Sequence, residues 1–298
     1  MQVVVLGTVA FDSIQTPHGR KEYILGGSAT YFSLACRLFA SCGIVAVVGE
    51  DFTEKYLTEL ESFGVDIKGL EITKGKTFHW DGLYEGDMNQ AQTQKTELNV
   101  LENFKPQIPK SYVGCEYLFL GNTDPEIQIE TLKKTKPKHS ICDTMDYWIK
   151  SNRQTLSEVF HSVDMIVLNE GEAKQYCKTS NLIAAGKILL EQGIKRVIIK
   201  KGEHGAILFT EEGIFCTPAY PLDYIVDPTG AGDSFGGGLT GYLANKNTLE
   251  QSELKKAIVT GTVVASFTVG DFGIDCLKDA SKESIESRYK KMQSYVRF

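Results

Sequence analysis

The sequence is poor in the features that mark several whole classes of protein. Its 298 residues include only 8 Pro and 7 Cys, which excludes proline-rich, collagen-like and disulfide-stapled chains. The cysteines stand at 36, 42, 115, 142, 177, 216 and 276, an odd number without a Cys-x-x-Cys pair. Reduced thiols in the cytoplasm, several of them core fillers, are therefore expected. No apolar run approaches the ~18 residues of a membrane span. The N-terminus has no basic segment ahead of its apolar run, and Asp12 interrupts soon after, so no signal peptide is expected. Excess positive charge is missing too: Lys plus Arg number 32 against 38 Asp plus Glu, a formal net charge of −6. Nothing global draws such a chain to nucleic acid or to an anionic membrane. The densest basic stretch, Lys133-Lys134-Thr135-Lys136-Pro137-Lys138, is short, broken by proline, and reads as a solvated loop.

What is present is an ordinary hydrophobic content of 42%, arranged in short β-branched runs. Met1-Gln2-Val3-Val4-Val5-Leu6 closes at Gly7, Gly43-Ile44-Val45-Ala46-Val47-Val48 at Gly49, and Tyr117-Leu118-Phe119-Leu120 at Gly121. Met165-Ile166-Val167-Leu168-Asn169 and Arg196-Val197-Ile198-Ile199-Lys200 repeat the pattern. Such runs suit strands buried on both faces. Helix-period segments lie between them. Residues 52–64 place Phe52, Tyr56, Leu57, Leu60 and Phe63 on one face and stop at Gly64, and 181–193 behave likewise. This alternation predicts right-handed βαβ units and one α/β domain over 1–298, a three-layer sandwich around a mostly parallel sheet.

Two polar stretches break that rhythm, residues 13–25 and 76–100, the latter containing Thr77-Phe78-His79-Trp80-Asp81-Gly82-Leu83-Tyr84. Their alternation fits one-sided antiparallel strands standing away from the main sheet. We expect a small β lid made from these two insertions and folded over a cleft; a pair of long surface hairpins is the plainer alternative. A lid leaves exposed strand edges, which a second lid can cover, so a homodimer through the lid is the expected assembly.

The strongest chemical signal is Val226-Asp227-Pro228-Thr229-Gly230-Ala231-Gly232-Asp233-Ser234-Phe235-Gly236-Gly237-Gly238. Gly230, Ala231 and Gly232 carry almost no side chain, so consecutive backbone N–H groups can close on an anion. Residues 234–243 follow at helical spacing, which sets that anion at a positive helix N-terminus. Asp233 comes directly after the glycines. A carboxylate beside a phosphate cradle makes sense as a base taking a proton from a hydroxyl nucleophile; an ordinary N-cap is the alternative. Two better-known phosphate motifs are missing. Gly186-Lys187 is followed by Ile188, so there is no P-loop, and Gly7-Thr8-Val9-Ala10 lacks the dinucleotide fingerprint.

Together these residues resemble the PfkB (ribokinase-like) family of carbohydrate and nucleoside kinases. Asp227-Pro228-Thr229-Gly230-Ala231-Gly232-Asp233 matches that family's C-terminal signature letter for letter. The likeness runs along nearly the whole chain. Gly7-Thr8-Val9-Ala10-Phe11-Asp12 is similar to the family's opening, Gly26-Gly27 to its substrate element, and Val48-Gly49-Glu50-Asp51 and Gly64-Val65-Asp66 to internal landmarks. Asn169-Glu170-Gly171-Glu172 fits its Asn-x-x-Glu motif and Lys201-Gly202-Glu203-His204-Gly205 its nucleotide loop.

The resemblance implies a ribokinase-like fold with a β lid, and transfer of the γ-phosphoryl of ATP to a hydroxyl with Mg2+. It implies Asp233 as the general base. Gly230, Ala231 and Gly232, with the Asp233 amide, would form the anion hole, where a single lost donor can cost ~3 kcal/mol. Glu172, with Asn169, would organise the Mg2+ shell through water; a helix-capping pair is the alternative. Lys200, Gly202 and Gly205 would line the nucleotide phosphates. Asp12, Gly26 and Gly27 would receive the acceptor. Asp227, with carbonyls of residues 269–273, would hold a monovalent cation such as K+. Residues 257–270 would pack on adenine or form plain core.

The chain departs from this pattern around the acceptor. Tyr31 stands where many sugar kinases carry an Asn, exchanging amide hydrogen bonds for aromatic area and stacking. Asp143-Thr144-Met145-Asp146-Tyr147-Trp148 lacks the Asn and Arg of relatives that take keto-sugar acids. With that Arg goes the bidentate partner for a carboxylate or phosphate. A neutral acceptor follows, a sugar or related polyol first, phosphorylated on its primary hydroxyl. A nucleoside is the alternative, on whose base Phe78, Trp80 or Tyr84 would stack. From another class, a nucleotide- or sugar-sensing protein without turnover stays open, though a pure sensor has no need of Asp233.

Overall fold

The apolar runs of the sequence become the interior of one large sheet. The computed structural model describes residues 1–297, and its strands, in chain order, are β1 (Val3–Leu6), β2 (Ala10–Thr16), β3 (Gly19–Gly26), β4 (Cys42–Gly49), β5 (Asp66–Thr73), β6 (His79–Tyr84) and β7 (Ala91–Glu97), followed by β8 (Tyr117–Leu120), β9 (His139–Asp143), β10 (Met165–Asn169), β11 (Arg196–Lys200), β12 (Ala206–Thr210) and β13 (Gly213–Thr217). Nine of them form the large sheet in the order β13-β12-β11-β10-β9-β8-β1-β4-β5. It is parallel from β5 to β11, with β12 and β13 added as an antiparallel edge.

Alternate side chains of a strand leave opposite faces, and here both faces are buried. Val3, Val5, Ile44, Phe119, Val167 and Ile198 enter one core; Val4, Leu6, Val45, Leu118, Leu168 and Val197 enter the other. Helices Ser28–Cys36, Ala231–Lys246, Gln251–Thr268 and Lys282–Val296 cover the first face, and Pro125–Thr135, Arg153–Ser162, Glu170–Cys177 and Leu182–Glu191 the second. The expected three-layer arrangement is present. The chain builds β4 and β5 on one side of β1, then crosses back to build β8 to β11 on the other. The crevice outside the carboxyl ends of strands at such a reversal is where open α/β sheets take their ligands.

The second sheet has the order β3-β2-β6-β7 and occupies residues 10–26 and 79–97, against the expected 13–25 and 76–100. Its outer pairs are antiparallel, but β2 and β6 run parallel, correcting the expectation of antiparallel strands throughout. The reason is topological: β2 leaves the carboxyl edge of the large sheet after β1, and β6 leaves the same edge after β5. Ile14, Tyr84 and Phe272 form a third buried cluster, with Ile24, Trp80, Met88 and Val226 packed on it. The small sheet therefore rests on the loop before helix Ala231–Lys246, through Val226, and on the loop after helix Gln251–Thr268, through Phe272.

Several local expectations need adjusting. The two helices expected at 52–64 and 181–193 span Glu54–Ser62 and Leu182–Glu191. The basic stretch is half helix, since Lys133 and Lys134 form the exposed last turn of Pro125–Thr135 before left-handed Lys136, where lysines complement the negative helix end. No described helix is long and apolar enough to cross a membrane.

Candidate active site

Five strands, β1, β8, β9, β10 and β11, end along one edge of the large sheet, and the N-terminus of helix Ala231–Lys246 faces them across the crevice. That helix begins at Ala231, not at 234, so Asp233 lies in its first turn rather than ahead of it. Its N-cap is Gly230, with φ of 73°, a left-handed conformation natural only to glycine. The Gly230 α-carbon also lies on the Tyr31 ring, so closely that a Cβ there would penetrate the ring. Ala231 turns its N–H back onto the Pro228 carbonyl at 3.2 Å, which removes it from the expected anion hole. Gly232 keeps the unpaired amide of a first helical turn, and the Asp233 amide turns to its own carboxyl.

Lys200, at the end of β11, extends to this cradle. Its Nζ lies 3.0 Å from where a Gly232 Cβ would stand, and it pairs with Asp143 Oδ2 at 2.8 Å. Burial alone would lower its pKa, but the carboxylates of Asp143 and Glu172 outweigh that and hold the ammonium charged. A side-chain-free cradle with a cation at its lip fits a phosphate group.

Asp233 is half-buried. Burial pushes its carboxyl up to about 7, with the Asp143 charge adding and Lys200 opposing. Asp12, in β2, is only 4% exposed. One of its oxygens packs on Gly26, where a Cβ would collide with it, and the same oxygen accepts the Gly27 N–H at 3.3 Å. Burial, then the Asp227 and Asp233 charges, lift Asp12 to about 7 as well. Asp227 and Asp233 thus raise the proton affinity of Asp12, and carboxyls gathered in this way can accept the hydroxyl donors of a polyol. Tyr31 is buried beneath Gly230 and its hydroxyl has no partner, so its ring is floor to the cradle rather than a stacking surface.

The remaining expected site residues fall nearby in less direct roles. Asn169 and Glu172 form a capping box on helix Glu170–Cys177: the Asn169 backbone N–H and Nδ2 donate to the Glu172 carboxylate at 2.7 and 2.6 Å, and the Glu172 N–H returns to Asn169 Oδ1 at 2.8 Å. The capping alternative is the one present. Burial raises Glu172 to about 8, with Asp143 adding and Lys200 opposing. Asp227 does meet the loop of residues 269–273, but its oxygens accept the N–H groups of Thr229 at 2.9 Å and Gly273 at 3.1 Å. Gly202 and Gly205 bracket the short turn Gly202–His204 after β11, and Asn89 of the β6–β7 turn reaches Glu203 there at 3.4 Å. Residues 257–270 lie mostly in helix Gln251–Thr268, where Ala257, Ile258, Val263 and Val264 are plain core. Of the small-sheet aromatics, Tyr84 accepts a hydrogen bond from Thr229 Oγ1 at 3.3 Å, and Trp80 lies along Gly82 and donates to Thr93. Both pack rather than stand free. Among the described residues no cluster of three His, Cys, Asp or Glu side chains is placed to hold a metal.

Two contacts escaped the sequence. Asp143 ends β9, whose Ser140-Ile141-Cys142 run is too short and too polar at its start to signal a strand. The Tyr84–Thr229 contact joins segments 145 residues apart.

Residues 2–279 match the model of the pfkB family carbohydrate kinases. The chain is 32% identical over 252 residues to a cytidine kinase of Thermococcus kodakarensis, covering 81% of this chain and 88% of that one. Its fold superposes on the crystal structure of the Methanocaldococcus jannaschii nucleoside kinase with a TM-score of 0.78, at 19% identity and 98% and 99% coverage. A Burkholderia thailandensis nucleoside kinase solved with ADP and inosine gives 0.76, at 18% identity and 98% and 96% coverage. Fold and site define a phosphotransferase acting on an alcohol group. The chain belongs to the pfkB family of carbohydrate kinases, with the ribokinase-like fold.

Proposed function

We propose that the chain is an ATP-dependent nucleoside kinase that phosphorylates the primary hydroxyl of a neutral ribonucleoside. An unphosphorylated sugar, which the sequence alone put first, becomes the second reading, because the 32% identical relative is a cytidine kinase. The observation that carries the chemistry is the first turn of helix Ala231–Lys246, where Asp233, the Gly232 amide and Lys200 converge opposite Asp12. The charged groups acting on Asp12 are Asp227 and Asp233, and this negative acceptor side would repel a phosphate or carboxylate on the acceptor.

In this reading Asp12 orients the acceptor by its hydroxyls, and Asp233 takes the proton from the attacking one as its oxygen bonds to the γ-phosphorus and ADP leaves. The Gly232 amide and the Lys200 ammonium receive the charge that builds on the transferring group. The small sheet closes the cleft, through Tyr84 on Thr229 and Asn89 on Glu203, and keeps water from competing with the acceptor. Glu172 and Asn169 would hold Mg2+ through its waters, and the ion would neutralise charge on the phosphates.

A panel of ribonucleosides, free sugars and inositols, scored by ADP release with and without K+, tests the reading. A pyrimidine or purine ribonucleoside is expected to give a kcat/KM at least tenfold above any free sugar; a free sugar on top would reverse the order. The Mg2+ role has its own test. Glu172→Gln loses one accepted hydrogen bond of the capping box, about 1 kcal/mol, and burial already lifts Glu172 to about 8, so near neutral pH the neutral amide costs little more and its melting temperature should stay near the wild type. Its apparent Mg2+ requirement should rise roughly tenfold or more. An unchanged Mg2+ dependence would leave Glu172 as a cap and nothing else.

A further inference from the structure

The buried ion pair between Asp143 and Lys200 joins two residues that the sequence never paired, one opening the segment 143–148 and the other standing just ahead of the nucleotide loop. We propose that Asp143 is the positioning residue that holds the Lys200 ammonium against the anion cradle, and that Lys200 so held reads the terminal phosphate of the nucleotide. This rests on the kinase reading and deepens it.

Asp143 ends β9 and Lys200 ends β11, with β10 between them. Both side chains are largely buried, 7% and 16% exposed. Asp143 is itself held firmly. Its Oδ1 accepts the Thr144 N–H at 2.8 Å, which leaves Oδ2 for Lys200 at 2.8 Å. Its backbone carbonyl accepts from Gln128 Nε2 at 3.1 Å, and the same nitrogen holds the Gly121 carbonyl at 2.8 Å. Gln128 is fully buried on helix Pro125–Thr135, so one side chain locks the ends of β8 and β9 in register.

That rigidity ends at a flexible four-carbon stem, and Asp143 is what stops it wandering. An ammonium has three donors. One goes to Asp143, and Nζ stands 3.0 Å from the Gly232 Cβ position, so the others face the cradle. A buried ion pair is a poor device for stability alone, because desolvation offsets the attraction and an apolar pair serves as well. A charge kept beside a bare helix N-terminus is useful to an anion arriving there. The terminal phosphate is the group assigned, because the cradle amides adjoin Asp233, which must lie beside the transferring group if it is to serve the attacking hydroxyl.

The test is calorimetric titration of the whole protein with Mg2+ and either ADP or a β,γ-imido analogue of ATP. Lys200→Met should weaken the analogue roughly 10- to 100-fold, the size of one charge-assisted hydrogen bond, and ADP by less than about threefold. Asp143→Asn should reproduce at least fivefold of the loss on the analogue. On the Lys200→Met background the same change should add less than twofold, because Asp143 acts through Lys200. Equal weakening of both nucleotides by Lys200→Met, or an Asp143→Asn loss of the same size on both backgrounds, would overturn the proposal. Should Asp143→Asn alone fail to fold, the double variant, which buries no unpaired ammonium, must bind the analogue as Lys200→Met does, and weaker binding counts against the proposal. A wild type that binds neither nucleotide would overturn the kinase reading itself.

Discussion

Asp233→Asn is expected to lower kcat by roughly 10²- to 10⁴-fold, the contribution of a positioned general base, while ADP affinity stays within about threefold. The amide keeps the shape of the carboxyl and the backbone donors of the first turn, so the nucleotide side is preserved while the proton acceptor is lost. In the wild type, burial sets Asp233 at about 7, so kcat/KM should fall as pH drops below about 7. Asp12 lies at about 7 too, and the limb therefore reports the pair as a unit. A second consequence concerns stability. Asp233 binds its proton more tightly in the folded chain than in the unfolded one, where 3.8 is the ordinary value. Folding is unpenalised below pH 4, loses stability as pH rises from about 4 to 7, and carries the full penalty above that. The difference corresponds to roughly 4 kcal/mol, and with solvent access and Lys200 close by, about 2 kcal/mol is the working figure. Asp233→Asn should therefore melt roughly 4 °C or more above the wild type at pH 8, and at the same temperature at pH 4. Near-normal turnover by this variant would remove Asp233 as base; equal melting temperatures at pH 8 would remove the electrostatic account of its burial.

Gly230→Ala should damage the same site by sterics. At φ of 73° any other residue is strained, by ~1 kcal/mol or more, and the new methyl would enter the Tyr31 ring. Tyr31 is 1% exposed, so it has nowhere to go, and the loop must lift instead. Displacing the first-turn amides by even a fraction of an ångström weakens the donors on which phosphoryl transfer depends. The expected loss is roughly 10²- to 10³-fold in kcat, with about 2–4 kcal/mol of stability lost to strain and overpacking, read from kinetics and urea unfolding. Smaller Tyr31 variants should return part of the rate, since they remove the obstruction. A Gly230→Ala enzyme with normal kcat would show that the cradle is not needed in this geometry.

The site was legible where chemistry is written locally. The seven residues from Asp227 to Asp233 pointed to a bare-backbone turn at a helix start with a carboxylate beside it, because all three are adjacent in sequence. Asn169 and Glu172, read first as a Mg2+-organising pair with a helix cap as the alternative, do form a capping box, three residues being one helical turn. The acceptor side was harder. Tyr31 was expected to display its ring, yet helix Ser28–Cys36 packs that ring under Gly230, 199 residues further along the chain.

The sequence by itself determined five strands of the large sheet, β1, β4, β8, β10 and β11, their alternation with helices, and the bare-backbone turn with Asp233 beside it, because burial on two faces and backbone freedom leave a pattern within a few neighbouring residues. Only the tertiary structure decided which strand ends adjoin. Asp143 meets Lys200 across 57 residues, and the parallel β2–β6 pair joins two insertions from distant parts of the chain. Strand order is set by crossovers and by the packing of whole layers, and hydrophobic periodicity carries no record of it.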